Sequence, residues 1–117
     1  MRKLEDEPLL HRGVELFNSG EFFECHEVLE ELWGPRRGGD RLFLQAVIHL
    51  AVGFYHHQQG NRDGAERQLS KGLRKLAGYL PRYAGIDTGK LHREAQRYFE
   101  SLANGIPSDR FPKVTAC

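Results

Sequence analysis

The sequence predicts a single all-α domain, a bundle of about five helices built from helical hairpins. Three observations predict it. Apolar residues recur at helical spacing in five stretches, each bounded by Gly, Asn or Pro. No run of strand-period alternation competes with them. The third stretch is apolar nearly all round, as a helix at the centre of a bundle would be. A chain of 117 residues suits one domain with one core. The core is expected over about 8–104, with 105–117 an extended surface tail.

The elements follow in order. Pro8 suits the first position of a helix over 8–17 in which Leu10, Val14 and Phe17 share a face. Asn18-Ser19-Gly20 ends it. A second helix, 21–33, carries Phe22, Cys25, Leu29, Leu32 and Trp33 as its main stripe, and the run GPRRGG breaks the chain after it. The central helix is expected over 40–59 with Asp40 as its N-cap. Gly60-Asn61 stops it and caps a fourth helix, 62–80, with Ala65, Leu69, Leu73, Leu76 and Leu80 inward and Arg67, Lys71 and Arg74 outward; Pro81 ends that helix. The fifth runs from Asp87 or Thr88 to about Asn104, closed by Gly105 and Pro107.

A faint repeat of forty residues relates GEFFECHEVLEELW to GNRDGAERQLSKGL, pairing Gly20 with Gly60, Cys25 with Ala65 and Leu29 with Leu69. It resembles a tetratricopeptide-type hairpin, but two units are too few for a solenoid.

Net charge is +1, so no strong overall field selects nucleic acid or a membrane. The charges are nevertheless segregated. Residues 1–33 hold nine acidic and three basic side chains, and residues 60–93 hold eight basic and three acidic. The simplest expectation is that the two ends of the bundle attract each other. Two cysteines make no disulfide framework. No signal-peptide h-region opens the sequence, and the longest apolar stretch, 42–55, is too short to span a bilayer. The expectation is a cytoplasmic protein whose partner is another protein or a second copy of the chain. Exposure of any of Phe23, Phe43 or Phe54 would mark an association surface.

Glu24-Cys25-His26-Glu27, then Trp33, then Arg41-x-Phe43-Leu44-Gln45, then Tyr55-His56 and Gly60-Asn61 together resemble a bacterial and archaeal family called domain of unknown function 309. The likeness covers about residues 9–80. It implies a compact all-α bundle and brings no established activity. Cys25 stands where alanine is usual in the family pattern.

The polar residues give a candidate site. On the central helix Arg41, Gln45, His49 and His56 fall within about 80° at 3.6 residues per turn. A polar stripe on a buried helix needs partners, and the short loop before it makes the second helix an antiparallel neighbour. The candidate network is Glu24, His26, Glu27, Glu30, Arg41, Gln45, His49 and His56. Arg41 is expected to pair with Glu30 or Glu31, or else Glu27, and His26 to be held by Gln45 or His49. Three uses of this network are open. It fixes the helix register as a hydrogen-bonded joint. It holds a divalent metal ion through His26, Glu30 and His49. It supports a hydrolase-like, metal-dependent enzyme, or acid–base chemistry at His26 with Glu27 or Glu30. HEVLE lacks the second histidine of a zinc-peptidase motif, and no Glu-x-x-His pair of the di-iron type occurs. The leading functional reading is a binding or protein-interaction module with its polar site between the second and third helices.

Overall fold

The computed structural model describes residues 2–106 and 110–117. Among them five α-helices run in order: α1 (Pro8–Asn18), α2 (Phe22–Trp33), α3 (Gly38–Gln58), α4 (Arg62–Leu76) and α5 (Thr88–Ala103). Single 3-10 turns lie at Leu4–Asp6 and Ala77–Tyr79. Among the described residues, sheet-like pairing is limited to isolated bridges of Ile86 with Tyr83 and with Ala116. α1 pairs with α2, α3 with α4, and α5 packs on α4. α3 also packs on α2 and so takes the central place that its apolar pattern predicts.

The forty-residue repeat is real in three dimensions and extends to two residues that the aligned stretches did not include. Gly20 and Gly60 both turn the chain at φ +77°, a conformation open to glycine. Gly13 of α1 lies under Leu29 of α2, and Gly53 of α3 lies under Leu69 of α4. A Cβ on Gly13 would come 2.5 Å from Leu29 Cδ2, and one on Gly53 2.8 Å from Leu69 Cγ. The same leucine-over-glycine contact thus closes both hairpins. Cys25 and Ala65, also forty apart, are both fully buried.

Two boundaries differ from expectation. α3 starts at Gly38, and Asp40 sits in its first turn instead of capping it. The Asp40 carboxylate is used elsewhere: it accepts from Tyr83 Oη at 2.5 Å and from Arg36 Nη1 at 3.3 Å. α4 stops at Leu76, four residues early, and a 3-10 turn carries the chain to extended Leu80 before Pro81, so Leu80 is exposed and not part of the inner face of α4. Proline disfavours helical backbone in the residue before it, so the helix cannot run on to its edge. Asn61 acts as the expected cap, accepting from the backbone N–H of Gly64 at 2.9 Å, and Asp87, read only as a possible first residue of the fifth helix, caps α5 by accepting from that of Lys90 at 2.9 Å.

The tail departs furthest. Pro107 lies outside the described residues, but 110–117 is no loose surface strand. Val114 is 4% exposed, and Asn18 holds it on both sides: Asn18 Oδ1 accepts from Val114 N–H at 2.7 Å and Nδ2 donates to its carbonyl at 2.9 Å. Asp87 N–H donates to the Thr115 carbonyl, and Cys117 N–H to that of Gly85. Phe111 completes a run of aromatic contacts from Phe17 and Phe22 through Phe54 to Tyr98, with centroids 5.0–5.9 Å apart.

Candidate functional site

The expected polar stripe of α3 does not turn inward against α2. It forms a half-open arc between α2 on one side and α4 on the other. Arg41, Gln45, Ile48, His49, Val52, Tyr55 and His56 are all half-buried along it. α2 presents Phe23, His26, Glu30 and Trp33 to this arc at i, i+3, i+7 and i+10. Contacts at both ends fix the register. Arg41 lays its guanidinium 3.6 Å from the Trp33 ring centre, and Tyr55 meets Phe23 at 5.4 Å.

Arg41 therefore does not pair with Glu30, Glu31 or Glu27. Its Nη1 donates to the carbonyls of Trp33 (3.2 Å), Gly34 (3.1 Å) and Arg36 (3.3 Å). The first two of these carbonyls sit at the C-terminal end of α2, where a cation suits the helix dipole, and the third belongs to the loop that follows. His26 is likewise satisfied within its own helix. Its Nδ1 bonds the Phe23 carbonyl at 2.7 Å and its Nε2 meets Glu30 Oε1 at 2.8 Å. Both ring nitrogens are thus occupied by partners on α2 itself. Neither Gln45 nor His49 holds it.

His49 looks the other way. Its Nδ1–H donates to Gln68 Oε1 at 2.7 Å, and its Nε2 accepts from Lys75 Nζ at 3.0 Å, both on α4. Burial lowers its pKa from 6.5; the Gln68 bond opposes this, and the charges of Lys75 and Lys71 add to it. The trio His26, Glu30 and His49 is therefore not assembled as a metal-ligand set, because both nitrogens of His49 are spent on α4. Among the described residues no three His, Cys, Asp or Glu side chains come together in a group able to hold a metal ion. His56 lies at the end of α3, its Nδ1 3.4 Å from Asn61 Nδ2. Glu24 and Glu27 are exposed on α2. Cys25 is 0% exposed, and burial pushes its thiol up to about 12, far from an activated thiolate.

Sequence reasoning missed Gln68 and Lys75, which helical spacing assigned to an amphipathic α4 with no sign that they face a histidine. It also missed Arg36, read only as part of a chain-breaking loop. Arg36 is 4% exposed. It bonds Glu7 at 3.2 Å, Asp40 at 3.3 Å and the Arg2 carbonyl at 2.7 Å, pinning the N-terminal segment to the α2–α3 loop. Its i, i+4 spacing to Asp40 was the available signal.

A family model described as "Domain of unknown function (DUF309)" matches residues 10–68, which run from α1 through the α2–α3 face into α4. The chain belongs to this family. Relatives include "Uncharacterized protein YpuF" of Bacillus subtilis (strain 168), 34% identical over 76% of this chain and 53% of its own length. An "Uncharacterized protein" of Aquifex aeolicus (strain VF5) is 22% identical over 86% of this chain and 31% of its own. The chain thus spans about half or less of the curated relatives it matches. Among solved structures, the conserved hypothetical protein TTHA0068 of Thermus thermophilus superposes with a TM-score of 0.69 at 32% identity, over 80% of this chain and 97% of the other. Among the described residues no helix is long and apolar enough to cross a membrane.

Proposed function

We propose that this chain is a protein-interaction module whose binding surface is the outer face formed by α2, the open arc of α3 and α4. The observation that carries the reading is Phe23, 44% exposed beside the half-buried Tyr55. Leu42 (53% exposed), Ile48 and Val52 add apolar surface along the same arc. Aromatic and apolar groups ringed by polar side chains are the pattern of an interface core with its rim. The polar groups within the face support the reading too. His26, Arg41 and His49 already have internal partners, so covering them strands few unpaired groups.

The test is site-specific photocrosslinking in cells. A photoreactive phenylalanine analogue at position 23 or 52 should give a discrete adduct, and the same analogue at exposed position 93 on α5 should not. Equal adducts from all three sites, or none from 23 and 52, would overturn the proposal.

A further inference from the structure

The segregated charges noted in the sequence do not meet. Among the described residues, every ion pair joins near neighbours or involves Arg36, and none links the acidic stretch 1–33 to the basic stretch 60–93. Instead the two charge sets flank the same face. α2 carries exposed Glu24, Glu27, Glu30 and Glu31 along one edge, and α4 carries Arg67, Lys71, Arg74 and Lys75 along the other. They also match in height. The Phe23–Tyr55 and Trp33–Arg41 contacts place Glu27 near the level of His49 and Glu30 near that of Gln45. The packing of Gly72 on Leu50 and Ala46 places Lys71 and Lys75 at the same two levels.

A face with a mixed midline, in which Ile48, Val52 and Tyr55 alternate with Arg41 and Gln45, and with an acidic edge and a basic edge, is complementary to itself under one symmetry operation. We propose that the occupant of this face is a second copy of the chain, related by a two-fold axis parallel to α3. The inference rests on the reading of this face as an interaction surface. Such an axis keeps heights and exchanges edges. Glu27 of each copy then faces Lys71 of the other, and Glu30 faces Lys75. Gln45 and Val52, near the midline of the arc, lie opposite their own counterparts. An axis running across α3 would instead set acidic α2 against acidic α2. The face is about 30 Å long and about 20 Å wide from helix rise and interaxial spacing, on the order of 600 Å² per copy. That is somewhat below the ~800 Å² of a standard partner surface, so the dimer should be reversible and concentration-dependent.

Sedimentation velocity of the chain over a range of concentrations tests this, with Phe23→Glu, Glu27→Lys, Lys71→Glu and the Glu27→Lys/Lys71→Glu double variant. The expected result is a monomer–dimer equilibrium that each single variant weakens about tenfold or more, with the double reversal regaining most of the loss. In a Cys117→Ser background, Val52→Cys should oxidise to a disulfide between copies. All of these positions are on the surface or half-buried, and thermal melts followed by circular dichroism check that the variants fold; should Phe23→Glu fail, the two charge variants carry the test. A monomer at every concentration, a dimer indifferent to Phe23→Glu, or a double reversal no better than the singles would overturn the proposal. A monomer that still gives position-23 adducts with another protein would sink the second copy and leave the interaction face standing. A monomer without adducts would sink both.

Discussion

His49 shows how one side chain couples the face to solution conditions. Lysine has no acceptor, so the nitrogen facing Lys75 must be the unprotonated one. Protonating it would set an N–H⁺ against an ammonium. The ring of the unfolded chain takes its proton near 6.5, and that of the folded chain only at lower pH. As pH falls below about 6.5 the unfolded state binds more protons, so this contribution to stability is complete above that value and declines below it. Urea midpoints should therefore fall between about pH 7 and pH 5, and His49→Gln should flatten the profile. An unchanged slope in the variant would contradict the arrangement. The residue types of the site were legible in the sequence, but their directions were not. Arg41 is expected on a carboxylate of the second helix and His26 on Gln45 or His49, yet Arg41 bonds carbonyls at and beyond the end of α2, His26 bonds within its own helix and His49 bonds α4, partners that helical spacing alone does not rank.

At the scale of the element, glycine placement decides how closely α3 and α4 approach. Gly72 has room for no methyl group: its Cβ would lie 2.8 Å from Leu50 Cδ2 and 3.0 Å from the Ala46 carbonyl oxygen. Helix propensity alone favours alanine there by about 1 kcal/mol, whereas overpacking a close crossing costs about 1–3 kcal/mol. The backbone oxygen cannot swing aside, so the overpacking cost outweighs the propensity gain and Gly72→Ala should lower stability by up to about 2 kcal/mol. Gly78→Ala, with nothing within 4 Å, should be close to neutral. Denaturant titration of the pair checks the sign. Helix number, order and most boundaries could be read from periodicity and punctuation, because Asn61, Asp87 and the turn glycines act locally. Asp40 misled because an aspartate before an apolar run looks like a cap whether or not its carboxylate is claimed by Arg36 and Tyr83.

The tail belongs to the scale of the whole molecule. Its polar, proline-containing composition gives no periodic signal, and its attachment depends on Asn18, 96 positions away. Nothing local could reveal that Val114 belongs to the core. Asn18→Ala removes both bonds to Val114 and leaves a partly buried N–H without its acceptor, which should cost about 1–3 kcal/mol. Equilibrium unfolding that matches the parent would show that the tail is not held this way.

The two kinds of contact also differ in when they can form. The α3–α4 seam closes across the short turn at Gly60, whereas the Asn18–Val114 bond must bring together nearly the whole chain. Contacts between distant positions carry the larger loop-closure entropy and follow the local ones. The seam therefore lies on the refolding side of the barrier and the tail on the unfolding side. Gly72→Ala should slow refolding, while Asn18→Ala should leave refolding nearly unchanged and hasten unfolding. The last turn of chain to dock then acts as a latch on the lifetime of the native state, with little part in how fast that state is reached.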